Sequence, residues 1–130
     1  MSIQERALAL GLKAGARATR TALTYTRPGA VASTDLMGTQ GKKLFKIQDP
    51  DQPAVMVETV DFLILAADLV IDGNVTEPME DDYITRIQGG KKNIYRVLSP
   101  GGDEPIFEYS DTGRTMLRVH TKFYDQEDVV

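Results

Sequence analysis

The chain contains no cysteine and only one histidine, His120. The first absence excludes disulfide scaffolds, thiolate metal sites and cysteine nucleophiles. The second leaves His120 without partners for a histidine-based metal site or a catalytic triad. No apolar run approaches the roughly 20 residues that a membrane-spanning helix requires. The N-terminus shows no apolar segment followed by a cleavage site, so an intracellular origin is expected and no membrane partner. The formal net charge of −4 argues against a dedicated nucleic-acid binder, while leaving local basic patches open. No internal repeat, low-complexity segment or second domain is visible.

What is present suits one domain. A chain of 130 residues with 42% hydrophobic content can build a real core. A domain of this size buries roughly two-thirds of its unfolded surface. Its charge is uneven along the chain. Arg6, Lys13, Arg17, Arg20 and Arg27 face only Glu5 in the first segment, whereas Asp125, Glu127 and Asp128 make the end acidic.

Residues 1–21 read as the single long helix. Ser2 and Glu5 fit a capping box, in which each side chain satisfies a backbone donor at the helix start. Ile3, Ala7, Leu10, Ala14 and Ala18 recur at spacings of three and four and form an apolar stripe. Much of the stripe is alanine, which buries little area, so the helix needs a partner surface. Arg6, Lys13, Arg17 and Arg20 lie off the stripe. They form either a solvated basic face or a contact with nucleic acid or an acidic neighbouring ring.

From Thr21 the period changes. Residues 21–26, 30–37, 44–47, 55–66, 83–87, 93–98 and 106–124 read as strands or hairpins, separated by turn signals. Asp61 interrupts the apolar run of 55–66, which predicts a bulge or a strand end there. Ala66 to Leu69 reads as one helical turn, and Glu80, Asp81 and Asp82 as an acidic turn. The expected fold is mainly β: a small antiparallel barrel or sandwich over 22–124, with one N-terminal α-helix and an acidic tail over 125–130.

Two basic loops stand out. Gly38 to Lys43 and Gly89 to Lys92 each project two ammonium groups, Lys42 with Lys43 and Lys91 with Lys92, from a predicted hairpin tip. Neither fits the phosphate-loop pattern, which needs GxxxxGK[ST] leading into a helix. The acidic turn is where carboxylates are expected in any case. An enzyme is therefore not expected, and no cofactor is called for.

The run Glu108 to Tyr124 is the most patterned stretch. Thr115, Leu117, Val119, Thr121 and Phe123 alternate with Met116, Arg118, His120, Lys122 and Tyr124. Alternation predicts one apolar face toward a core and one cationic face carrying Arg118, His120 and Lys122.

The pattern resembles a known family. The residues that carry the likeness are Leu23-Thr24-Tyr25-Thr26-Arg27, Asp61-Phe62-Leu63-Ile64 with Ala67-Asp68-Leu69, and Pro78 before Asp82-Tyr83-Ile84. Tyr95-Arg96-Val97, Pro105-Ile106-Phe107 and Arg114 to Lys122 complete it, and Leu117 to Lys122 is the most specific part. Together they resemble the head-closure proteins of tailed bacteriophages, also called head–tail joining or stopper proteins. One departure is Asp81-Asp82, where that family often has Gly-Asp.

The resemblance implies a small β-barrel in a homo-oligomeric ring of the virion neck, made in the host cytoplasm. Such a ring docks below portal and adaptor proteins, retains packaged DNA and offers a surface to tail terminator or tail-tube proteins. On this reading Lys42, Lys43, Lys91 and Lys92 face DNA in the channel without sequence specificity. Arg118, His120 and Lys122, with Arg6, Lys13, Arg17 and Arg20, meet a neighbouring subunit or ring. Two alternatives stay open: a tail terminator or tail-tube ring, and a small nucleic-acid-binding barrel with Tyr25, Phe45 and Tyr95 as stacking residues.

Overall fold

The computed structural model describes residues 20–48 and 50–129. The helix expected over 1–21, with Arg6, Lys13 and Arg17, lies outside the described residues except at its end, where Thr21 already begins a strand. Nine strands follow: β1 Thr21–Thr26, β2 Thr34–Ile47, β3 Val55–Leu65, β4 Val70–Ile71, β5 Asn74–Val75, β6 Tyr83–Gln88, β7 Lys91–Val97, β8 Phe107–Tyr109 and β9 Met116–Asp128. A single 3-10 turn, Ala66–Asp68, sits after β3, where the sequence predicts a helical turn.

The strands run in the order β3-β2-β1-β6-β7-β9-β8, and β3 also pairs with β9. That last pairing closes six strands into an antiparallel barrel, with β8 as a short flap on β9. Closure removes the open edges along which sheets aggregate. Inside the barrel lie Leu23, Tyr25, Phe62, Ile64, Ile84, Val97, Leu117 and Val119, each at 2% exposure or less. Their spacing of two along each strand is the period of the sequence pattern, so the hydrophobic alternation specifies the register.

Three expectations are corrected. Residues 38–43 are not a loop: β2 passes straight through them. A Cβ at Gly38 would lie 2.7 Å from Leu23 Cδ1 and 2.8 Å from Ile64 Cγ2, so this glycine serves close packing of strands, not a turn. β3 is likewise unbroken at Asp61, with continuous register to β2 and β9. The acidic residues 125–128 are not a tail, because β9 carries them as strand partners of β7.

The Gly89-Gly90 turn is as expected, with φ of 60° and 78°. Two successive positive φ values are the twist-matched geometry of a tight hairpin. Asp81, at the position of the departure noted above, has φ 74°. It thus adopts the left-handed conformation that glycine takes most readily.

Closure is confined to part of the strand length. β3–β9 pairing ends at Val60 and Thr121, and β1 begins only opposite Gly38. Beyond these points, at one end of the barrel, two arms continue. One is the distal β2–β3 hairpin, and the other is the β6–β7 hairpin with the end of β9. The opposite end carries the β1–β2 connection, the β4–β5 hairpin, the 76–82 loop and the β8–β9 turn.

Candidate functional site

The cationic face predicted for β9 is divided by tertiary structure. His120 is 1% exposed and is no surface residue. It points away from the barrel interior, yet it is covered. Its ring packs edge-on against Phe45, with centroids 5.0 Å apart. The segment 98–106 leaves β9 and returns to it at this residue: Leu98 N–H donates to the His120 carbonyl, and His120 N–H to that of Ile106. Gly101 approaches Ile47 on the distal part of β2. The excursion therefore buries the outer surface of β2, β3 and β9, which alternation alone assigns to solvent.

Under this cover sits Asp61, the supposed strand interruption. Its Oδ1 accepts from Thr59 Oγ1 at 2.7 Å and lies 3.0 Å from His120 Nδ1. Its Oδ2 accepts from Arg118 Nε at 2.5 Å. Burial pushes the pKa of this carboxyl up, but the bonds from His120, Thr59 and Arg118 outweigh it and hold the pKa below the ordinary value. A carboxylate only accepts, so the facing Nδ1 of His120 carries the proton. Arg118 also donates to the Lys42 carbonyl at 3.2 Å and is partly covered. Of the three residues expected on that face, only Lys122 is fully exposed.

A second network closes the loop end. Asp82, 1% exposed, accepts from Tyr25 Oη at 2.5 Å, Arg27 Nη2 at 2.9 Å and the Met79 N–H at 2.9 Å. Arg27 reaches on to Thr76 Oγ1 and the Glu77 carbonyl, and Tyr109 donates to Glu77. Burial, and then the bond to Asp82, push the Tyr25 hydroxyl far above its ordinary pKa. Asp82 ties the 76–82 loop to β1, so the acidic turn is structural at this residue. No local signal separates it from Glu80 and Asp81, because its side-chain partners Tyr25 and Arg27 lie over 50 positions away.

The predicted lysine loops also change character. Lys42 and Lys43 stand within β2, on opposite faces. Lys42 is exposed, with Glu58 at 3.8 Å. Lys43 is paired with Glu108 at 2.9 Å and lies over the Phe45 ring. Lys91 is paired with Asp128, and Lys92 stands opposite Glu127. All four, with Lys46 and Lys122, belong to the two arms. Arg20 is half-buried just before β1. The aromatic residues expected to stack on bases in the nucleic-acid-binding alternative are buried: Tyr25, Phe45 and Tyr95 are at most 7% exposed.

Exposed charge occurs at both ends of the barrel. The loop end displays Asp35, Asp72, Glu77, Glu80 and Asp81 in exposed positions. The arm end carries the lysines interleaved with exposed Glu58, Asp125, Glu127 and Asp128, together with exposed Leu44, Met56 and Phe123. Among the described residues, no three His, Asp or Glu side chains gather as a metal site, and no helix is long and apolar enough to cross a membrane.

A family model described as phage head-tail joining protein matches residues 1–128. The chain belongs to that family. The match spans the barrel, both arms and the N-terminal segment. No curated protein and no solved structure matches the chain. A head-tail joining protein is a component of the head–tail connector in the virion neck, where it meets head and tail components.

Proposed function

We propose that this head-tail joining protein forms a closed ring below the portal and adaptor, retains packaged DNA and presents the surface to which the tail attaches. The observation that carries the reading is the family match over residues 1–128, and the different build of the two barrel ends supports it: short loops with exposed carboxylates at one, and two β arms bearing lysines, carboxylates and apolar side chains at the other. A subunit that joins two different partners needs two different ends, and a closed ring joins unlike patches of one chain. Lys42, Lys92 and Lys122 supply ammonium groups for phosphate contact in a channel, which requires no base recognition. The role is non-catalytic. The two buried carboxylates, Asp61 and Asp82, are each held by several internal donors, which supports a structural use for both.

The test is a phage lacking the gene, examined by electron microscopy and by nuclease protection. Heads that fill and then lose DNA, beside separately formed tails, are expected. Tails of uncontrolled length with stable filled heads would instead assign the chain to the tail terminator. Normal tailed particles would remove the proposal altogether.

A further inference from the structure

Past the point of closure each arm keeps an inward face. On β2 and β3 the inward cross-strand pairs are Lys42 with Val60, Leu44 with Glu58 and Lys46 with Met56. On the other arm Phe123 is the partner of the core residue Tyr95, with ring centroids 5.9 Å apart, and Arg86 follows Ile84 along β6. Leu44, Met56 and Phe123 are 60%, 60% and 56% exposed, so neither arm covers the apolar side chains of the other. They continue the core surface into the space between the arms, and a continuous apolar surface of this kind marks an interaction site.

The charge on these inward faces is mainly positive. Lys91 is paired with Asp128, and Lys42 has Glu58 at 3.8 Å. Lys46 and Arg86 have no carboxylate partner among the described residues. Arg86 gives Nη1 to Gln40 at 2.6 Å, while its Nε is buried and has no acceptor. The backbone is open as well. Among the described strands, β3 from Val55 to Thr59 pairs only with β2, and β9 from Lys122 to Asp128 only with β7. These two edges border the same gap, and an open edge accepts an added strand.

A cover that fits must bring both apolar side chains and carboxylates. Duplex DNA supplies phosphates but leaves Leu44, Met56 and Phe123 uncovered. Residues 1–19 carry Arg6, Lys13 and Arg17 against Glu5, which is the wrong sign.

We infer that the space between the two arms receives an extended, apolar and acidic polypeptide segment of a partner protein, which enters along the open edges of β3 and β9, covers Leu44, Met56 and Phe123, and turns its carboxylates toward Lys46 and Arg86. The inference rests on the connector reading only for the source of that segment.

The protein lacks tryptophan, so Phe123→Trp in the full chain provides a single reporter at the proposed contact. In the free protein its emission is expected to be that of an exposed indole, readily quenched by acrylamide. A synthetic alternating Leu–Glu peptide of about eight residues, the length of a long strand, should shift the emission to the blue and shield it in a saturable way. Versions with Lys in place of Glu, or Ser in place of Leu, should not. Lys46→Glu should weaken binding about tenfold, because reversal sets like charges against each other, whereas Lys92→Glu on the outer face should leave it unchanged. A reporter already shielded in the free protein overturns the inference, because the chain or a second copy then supplies the cover. No shift with the Leu–Glu peptide up to about 1 mM, or an equal shift with its Lys version, does the same. So does duplex DNA that shields the reporter where the peptide does not. Circular dichroism on each variant shows that the barrel persists. The measurement uses purified protein, so its failure leaves the connector reading to the deletion phage, and the two are judged apart.

Discussion

The Nδ1 atom of His120 lies 3.0 Å from Oδ1 of Asp61, and neither residue is more than 1% exposed. Sequence separates them by 59 positions, and strand register brings them opposite each other on β3 and β9. Asp61→Ala would leave His120 and Arg118 facing an empty acceptor site. A loss of about 3 kcal/mol is expected, the range for breaking a buried, hydrogen-bonded charge pair. Urea unfolding with unchanged slope checks it. The carboxyl's pKa is lowered in the fold, so its contribution is full above the unfolded carboxylate pKa and is lost as pH falls through the lower folded value. Stability of the native protein should fall on acidification in that window, and the Asp61→Ala variant should show a flatter acid limb.

Tyr25 and Asp82 predict the opposite limb. The hydroxyl pKa is raised, so this group's contribution is complete below the unfolded tyrosine pKa and lost as pH climbs above it. Stability should therefore decline above about pH 10. Tyr25→Phe keeps the ring packing but removes a donor to a buried carboxylate, with an expected loss of about 1.5–3 kcal/mol. It should also reduce the alkaline decline, measured as unfolding free energy against pH.

Gly38→Ala tests the close approach of β1, β2 and β3. The added methyl would meet Leu23 and Ile64 side chains and, at 2.9 Å, the Leu63 carbonyl, which belongs to the strand ladder. Overpacking of this kind costs about 1–3 kcal/mol. Gly41→Ala, three residues on with nothing within 4 Å, is the control and should leave the melting temperature nearly unchanged.

The arm lysines separate stability from assembly. Lys42→Ala combined with Lys92→Ala removes exposed or half-exposed charges from strand surfaces. Surface changes of this type stay within about 0.5 kcal/mol. Complemented phage should nonetheless lose DNA retention or tail joining, scored as nuclease-sensitive genomes or tailless heads. Wild-type titre with the double variant would exclude these two lysines from the channel.

Much of the fold is legible in the chain because it depends on local period. Alternation at Leu23/Tyr25, Phe62/Ile64 and Leu117/Val119 marks the inward faces, and Gly89-Gly90 marks its hairpin. The misread places are those where distant residues decide. Gly38 reads as a loop because a lone sequence cannot show that Leu23 and Ile64 crowd its Cα. Asp61 reads as a break because its three donors come from β3 and β9 together. Phe123 follows the inward parity yet lies exposed, because β9 outruns β3 after Thr121.

By itself the sequence determined that this is a mainly β protein with an inward apolar pattern, without cysteine chemistry, and with the residues that mark a head-tail joining family. These properties follow from composition and from the two-residue period of strands, which each segment carries alone. Only tertiary structure decided that His120 and Asp82 are buried anchors, that Lys43 is paired, and that β9 changes from core strand to arm along its length. Burial and pairing belong to contacts between segments. Here the 98–106 excursion and the partial closure of the barrel set them, and no single stretch of chain encodes either.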